Sequence, residues 1–454
     1  MAIKKIYTER ILNQIKTQSP GQNEFYQAAR EVFMTLEPLL RVEKKYEEYG
    51  ILERMVIPER TIIFRVVWLN DAGKPQTNLG YRVQFNSALG PYKGGIRFHP
   101  TVNLGIVKFF GFEQIFKNAL TGLQIGGAKG GSNFDPKGKS EREIMGFCQS
   151  FMNELYRHIG TTKDVPAGDI GVGAREIGFM YGQYRKLTAN FEGVLTGKSI
   201  SWGGSFARKE ATGYGSVYFA ENILNRYGKE IRGKKCAVSG AGNVAIYTIE
   251  KLHSMGAIPI SCSDSKGTIY HPSGININSL KAIKEVSKQS LEHYAAIHKD
   301  AQYIPLHKYP QGGHAVWSLP CDIAFPSATQ NELTLIDAKN LVQNGCILVN
   351  EGANMPTTPE AISYLRRNGV YFGPAKAANA GGVAVSQLEM AQNASMQKWT
   401  FAEVDTKLYD ITKEIFNTAY NTSEEFGSEG DLLLGANIAG FRKVADAMID
   451  QGAV

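Results

Sequence analysis

The sequence has no apolar run approaching the roughly 18 residues that a membrane helix needs. It has no run of five or more lysines and arginines, the usual mark of a nucleic-acid or anionic-membrane surface. No CxxC pair occurs among its five cysteines, Cys148, Cys236, Cys262, Cys321 and Cys346, and no HExxH among its eight histidines. An odd, scattered set of thiols fits reduced, mostly buried cysteines better than a disulfide frame or a zinc site. No internal repeat or low-complexity tract is visible. The start, MAIKKIYTERILNQIK, lacks an apolar signal core and a small-residue cleavage site, so the expected location is cytoplasmic.

What is present is an ordinary globular composition over 454 residues, enough for two or three domains at about 100–200 residues each. A formal charge of +7 without a basic cluster suits a protein that handles anionic small molecules. Residues 22–46 place Phe25, Ala29, Val32, Phe33, Leu36, Leu39 and Leu40 near helical spacing, with Pro38 expected to bend or divide the helix. Two β-rich stretches follow, Thr61–Leu69 and Tyr81–Phe85, and then a glycine-punctuated region from Gly90 to Gly173.

From about residue 200, short apolar runs alternate with helical stretches: CAVSG at 236–240, AIPISCS at 257–263, DIAFPS at 322–327, CILVN at 346–350 and VYFGP at 370–374. Such alternation predicts a parallel, doubly wound α/β sheet. The change of pattern puts a domain boundary near Ser199–Gly204, and residues 436–448 read as a final helix. The segment 285–316 carries no recognisable pattern.

Residues 240–245, Gly-Ala-Gly-Asn-Val-Ala, follow a strand and open a helix, the context a dinucleotide fingerprint requires. Gly240 permits the tight turn, Gly242 lets backbone approach a pyrophosphate, and Ala245 allows close helix packing. The helix start, with Asn243 and Val244, supplies N–H groups to phosphate. The second strand ends in Ser263-Asp264-Ser265-Lys266. An acidic residue here suits the ribose hydroxyls of NAD. Two hydroxyls and Lys266 beside Asp264 suit the 2′-phosphate of NADP instead, unless Lys266 is only a solvated turn residue.

In the first half, Lys93 lies among glycines in GPYKGGIRFHP, and Gln114 and Lys117 share one helix face. Lys129 is flanked by glycine pairs in GGAKGG, which suggests backbone and substrate crowding around it. Three such lysines suit a substrate with two carboxylates. Crowded lysines depress one another's pKa, so that one can act as a base near neutral pH, with Asp169 as its carboxylate partner. Blander readings stand beside these: Lys117 as a surface residue, Arg97 and His99 as loop-fixing donors, Asp164 as a turn or cap residue.

These motifs, with DVPAGDIGVG, SATQNEL, EGANMPTT, AANAGGVAVSQLEMAQN and GANIAGF, resemble in order, from about residue 50 to 450, the hexameric glutamate dehydrogenases. The resemblance implies a substrate and assembly domain (1–200), a Rossmann-type NADP-binding domain (201–427) and a C-terminal helical segment (428–454) returning to the first. It implies interconversion of L-glutamate with 2-oxoglutarate and ammonia, used in ammonium assimilation, with no metal and a homohexameric assembly. By resemblance Lys129 is the catalytic lysine and Asp169 the proton-transfer carboxylate. Gln114 and Lys117 hold the α-carboxylate, Lys93 and Ser386 the distal one, and Gly168 lies at the substrate backbone. Thr212, Asn243, Asn354 and Asn379 match cofactor contacts, and Lys284 or Lys288 could contribute to cofactor choice. The rivals are a dehydrogenase of leucine, valine or phenylalanine, which needs an apolar side-chain pocket, and a non-catalytic nucleotide- or RNA-binding protein.

Overall fold

The computed structural model describes residues 2–454. The chain forms two compact units, the first from Met1–Arg208, Val383–Val404 and Ala436–Val454, the second from Lys209–Gly382 and Asp405–Gly435. Three differences from the expected segments stand out. The C-terminal return to the first unit begins at Ala436 rather than 428, the first unit runs eight residues past 200, and it takes back Val383–Val404, the stretch carrying Ser386. That stretch returns because Glu389, fully buried on it, pairs with Lys198 and accepts the Gly197 N–H. Among the described residues no helix is long and apolar enough to cross a membrane.

The first unit is built on a five-stranded mixed sheet: β1 (Arg60–Leu69), β2 (Pro75–Asn86), β3 (Tyr92–Phe98), β4 (Gly127–Ser132) and β5 (Asp164–Gly168), in the order β1-β2-β4-β3-β5. β1, β2 and β4 pair antiparallel, and β3 pairs parallel with both β4 and β5. The helix Leu104–Leu120 starts on an Asn103 side-chain cap and packs on β4 and β2. The helix Glu141–Leu155 opens on a Ser140/Glu143 capping box and lies against β1. Phe98, Phe134, Phe147 and Phe151 fill the core beneath it, with Phe134 and Phe147 stacked at 3.8 Å. The helix Asn23–Val42 runs unbroken through Pro38. The missing N–H costs one helical bond near the C-terminal end, and burial of Leu36, Leu39 and Leu40 around it holds the helix together.

In the second unit, β6 (Lys235–Val238), β7 (Ile258–Pro259), β11 (Ile323–Phe325), β12 (Leu348–Asn350) and β13 (Tyr371–Gly373) form a fully parallel sheet in the order β13-β12-β11-β6-β7. The run expected as one strand at 257–263 divides. Ile258 and Pro259 stay in the parallel sheet, while β8 (Ser261–Asp264) joins an antiparallel sheet with β9 (Gly267–Tyr270) and β10 (Gln302–Pro305). Ile260 is the switch point: its N–H donates to Cys236 O at 2.8 Å and its carbonyl accepts from His271 N at 2.8 Å. The patternless segment supplies β10 to this small sheet and otherwise folds as short pieces, pinned by the fully buried Tyr294, whose hydroxyl meets His271 Nδ1 at 2.8 Å. All five cysteines are free and buried, as expected.

Candidate active site

β4 and the turn after β5 bring Lys129 and Asp169 together, with Lys129 Nζ 3.0 Å from Asp169 Oδ1. Arg97, on β3, donates Nε–H to the other oxygen, Oδ2, at 2.6 Å. Gly95 makes the approach possible: a Cβ there would stand 2.9 Å from Asp169 Cβ and 3.4 Å from Lys129 Nζ. Only 6% of the Lys129 side chain and 17% of that of Asp169 is exposed. Burial lowers the Lys129 pKa, Asp169 opposes the shift, and Arg97 adds to it. Burial raises the Asp169 pKa, but Lys129 and Arg97 outweigh it and hold the carboxyl well below its usual range.

One expectation about this lysine is corrected. Its depressed pKa comes from burial first and then from the guanidinium groups of Arg97 and Arg82, not from neighbouring lysines. The expected crowding by backbone is present: a Cβ on Gly127 would meet Ile115 Cα and N at 2.9 Å, and one on Gly131 would meet Arg97 O at 2.6 Å. Arg97 acts by hydrogen bonding, as expected, and the group it fixes is Asp169. Gly168 is half-exposed, and only its Cβ position is closed off, 2.4 Å from Val172 O. Asp164 is neither turn nor cap residue. It is fully buried and bound by Arg82, whose Nε lies 2.9 Å from Oδ2 and whose Nη1 also reaches Gly94 O at 3.0 Å.

Lys93 is fully buried on β3, donating to Val165 O at 2.9 Å and Thr196 Oγ1 at 2.7 Å. Burial holds its pKa well below the usual value, Arg208, Arg82 and Lys198 push the same way, and Glu389 opposes them. Ser386 is 1% exposed, and its hydroxyl has no hydrogen-bond partner. Arg208 Nε is likewise buried without one. Three cations, Lys93, Lys198 and Arg208, thus face one carboxylate, Glu389, since Arg82 is matched by Asp164. Thr196, Lys198, Arg208 and Glu389 escaped the sequence reading. The one available signal was Glu389 three residues after Ser386, on the same face of the helix Gly381–Ser395.

Gln114 donates to Asn118 Oδ1 at 2.6 Å, and Asn118 Nδ2 reaches Lys93 O at 3.1 Å, which ties this helix to β3. Lys117, half-buried, lies on the same helix.

In the second unit Gly240 has φ +85°, and a Cβ there would stand 2.9 Å from Ser327 O. Gly242 caps the helix Asn243–Ser254, and no atom lies within 4 Å of where its Cβ would be. Gly242 and Asn243 are exposed, Val244 half-buried and Ala245 fully buried, so the N-terminal turn is open to a pyrophosphate while its far side is packed. Ser263 departs from expectation: it is 1% exposed and its hydroxyl accepts the Gly240 N–H at 2.8 Å, so it shapes the turn. Ser265 and Lys266 are exposed. Thr212 is half-buried in the first turn of the helix Ala211–Arg226. Asn379 Nδ2 donates to Asn354 Oδ1 at 3.0 Å and to Ala353 O at 3.1 Å, while its Oδ1 is buried without a partner, the sort of orphan acceptor a carboxamide ligand satisfies. These residues fit a dinucleotide.

Residues 203–452 match the family model of glutamate/leucine/phenylalanine/valine dehydrogenases, and residues 58–186 match that of the Glu/Leu/Phe/Val dehydrogenase dimerisation domain. The chain belongs to this family. It is 59% identical to the NADP-specific glutamate dehydrogenase of Helicobacter pylori over 98% of this chain and 100% of that protein. Identity to the NADP-specific glutamate dehydrogenase of Escherichia coli is 53%, over 98% of each. The crystal structure of Plasmodium falciparum glutamate dehydrogenase superposes with a TM-score of 0.95 at 50% identity, covering 98% of this chain and 95% of that one.

Proposed function

We propose that this protein is an NADP-linked glutamate dehydrogenase, converting 2-oxoglutarate, ammonia, NADPH and a proton to L-glutamate, NADP and water, and the reverse. The observation that carries the substrate is the concentration of buried basic groups, Lys93, Lys198 and Arg208, around the single carboxylate Glu389, which lies one helical turn after the unpaired Ser386 hydroxyl. An apolar side chain there would leave the Ser386 hydroxyl unsatisfied and bring no negative charge to the one carboxylate, Glu389, that Lys198 and Arg208 share. This argues against leucine, valine or phenylalanine. A non-catalytic role is disfavoured by the buried Lys129–Asp169 pair, which a binding module has no use for.

In this reading Lys93 and Ser386 hold the distal carboxylate, with Arg208 behind them. Gln114 and Lys117 hold the α-carboxylate, and Gly168 lies along the substrate backbone. Lys129, whose burial favours the neutral amine, takes the proton released as ammonia adds to the carbonyl carbon. Later it returns one to the hydroxyl that leaves as water. Asp169 orients Lys129 and exchanges protons with it across 3.0 Å. Thr212, Gly240, Gly242, Asn243, Val244, Asp264, Ser265, Lys266, Asn354 and Asn379 would hold the cofactor, which supplies the hydride. No step calls for a metal.

The reading carries a cytoplasmic location and homohexameric assembly. Edge strand β1 turns Ile63, Val67 and Leu69 outward, with Leu79 of β2 beside them, within the segment matched to the dimerisation domain. The test is a steady-state assay of NADPH consumption with ammonium and either 2-oxoglutarate or a branched apolar 2-oxoacid. The reading requires a preference for 2-oxoglutarate of several orders of magnitude. Comparable rates would reject it.

A further inference from the structure

Asp264 stands next to Ser263, which is bound to Gly240 in both directions: its hydroxyl accepts the Gly240 N–H at 2.8 Å, and its own N–H reaches Gly240 O at 3.1 Å. The carboxylate therefore lies beside the glycine turn. At this place a bare carboxylate accepts the ribose hydroxyls of NAD and repels a 2′-phosphate. This carboxylate is not bare. Oδ1 accepts the Lys266 N–H at 2.9 Å, and Oδ2 accepts Lys284 Nζ at 3.0 Å and the Leu291 N–H at 3.2 Å.

The Asp264 and Lys284 side chains are only 13% and 19% exposed. Burial raises the Asp264 pKa, but the two backbone N–H groups and Lys284 outweigh it, so the carboxyl stays ionised and its charge must be met by a cation. The cation comes from a wide turn, Ala282–Val286, in which Ser287 N–H reaches back five residues to Ala282 O at 2.9 Å. Single turns of this π type recur where a helix re-aims a side chain at a functional site. Here Lys284 is aimed at Asp264 and steadied by Gln289 O at 3.1 Å, while its neighbour Glu285 turns to Lys209.

We propose that Lys284 sets the nucleotide preference indirectly, by cancelling the charge of Asp264 and so leaving Ser265 and Lys266 free to receive the 2′-phosphate. The proposal rests on the NADP reading above. Lys284 is a specificity residue that acts through Asp264 rather than a direct phosphate ligand. The two roles separate in a double substitution.

The experiment measures kcat/KM for NADPH and NADH in the wild type, Lys284→Gln, Asp264→Asn and the double variant. Uncovering one negative charge beside the phosphate lowers the NADPH/NADH ratio by about tenfold or more in Lys284→Gln, chiefly through the KM for NADPH. The double variant, with no charge left to cancel, recovers most of that ratio. NADH turnover is the internal control for folding, because general damage lowers both cofactors alike and leaves the ratio unchanged. A ratio untouched by Lys284→Gln overturns the proposal. So does a loss that Asp264→Asn fails to restore, which would make Lys284 a direct phosphate contact. A wild-type enzyme using both cofactors equally would overturn the NADP reading itself, a result visible before any variant is made.

Discussion

Arg97 and Lys129 hold opposite oxygens of one carboxylate: Arg97 Nε meets Asp169 Oδ2 at 2.6 Å, and Lys129 Nζ stands 3.0 Å from Oδ1. The guanidinium lowers the pKa of both partners. Removing it in Arg97→Leu therefore raises both. The neutral form of Lys129 then requires a higher pH, so the acid-side limb of the kcat/KM profile moves upward by about one unit, the scale of a unit charge at short range. The pH dependence of kcat/KM with 2-oxoglutarate in both proteins measures this. A limb that stays in place or moves down would mean that Lys129 is not the group titrating there.

Lys129→Ala removes the proton-transfer amine, and Asp169→Asn removes its orienting charge. Each should lower kcat by about 10²–10⁴-fold, the usual contribution of a positioned acid–base group. Far-UV circular dichroism and NADPH fluorescence titration should show that the fold and cofactor binding survive. Near-normal turnover in Lys129→Ala would remove it from the chemistry. A drop of less than about tenfold in Asp169→Asn, roughly 1.4 kcal/mol of barrier, would leave Asp169 a structural role only.

The Arg82–Asp164 pair has no exposed side-chain surface and ties β2 to β5, with a further bond from Arg82 to Gly94 on β3. These strands carry or flank Lys93 and Lys129. Asp164→Asn leaves a buried guanidinium without its counter-charge, at a cost of about 3–5 kcal/mol. Arg82→Met combined with Asp164→Leu should cost less than the single change, because no buried charge remains. Urea denaturation midpoints of the three proteins decide it. Equal midpoints for wild type and Asp164→Asn would show that the pair contributes nothing net.

The parts of this site that could be read from sequence are those whose signal is local. Gly240, Gly242 and Ala245 sit within six residues, each demanded by a turn, an approach or a packing contact that neighbouring residues already imply. Lys129 was legible because its glycines mark crowding by backbone, here that of Ile115 and Arg97, while the cause of its lowered pKa, burial and the Arg97 and Arg82 guanidinium groups, was not. Arg97, Thr196, Arg208 and Glu389 were not legible in their roles, because each acquires one only from a partner distant in the chain. Thr196, for example, meets Lys93 across 103 positions. Segment 285–316 defeated pattern reading because its elements are three to six residues long, too short for periodicity to register. The division of 257–263 between two sheets has no local signal at all, since the hydrogen bonds of Ile260 to Cys236 and His271 decide it.

Ser386 and Lys93 give the most discriminating test of substrate. Lys93 Nζ donates to Val165 O and Thr196 Oγ1, and the Ser386 hydroxyl is buried without a partner. If both read a distal carboxylate, Lys93→Leu with Ser386→Val deletes charge-assisted bonds each contributing about 1.5–3 kcal/mol in a desolvated site. kcat/KM for 2-oxoglutarate should then fall by at least about one to two orders of magnitude. Straight-chain apolar 2-oxoacids should gain, because the pocket loses an uncompensated cation. The variant also strands Val165 O and Thr196 Oγ1, so some loss of stability and of overall activity is built in. The measurement is therefore the ratio of kcat/KM values for the two substrates, which a general loss cannot mimic. If both substrates fall together, Lys93 serves to bridge Val165 and Thr196 rather than to read the substrate. If the preference for 2-oxoglutarate survives intact, Arg208 or Lys198 holds the far carboxylate, and the next substitution belongs there.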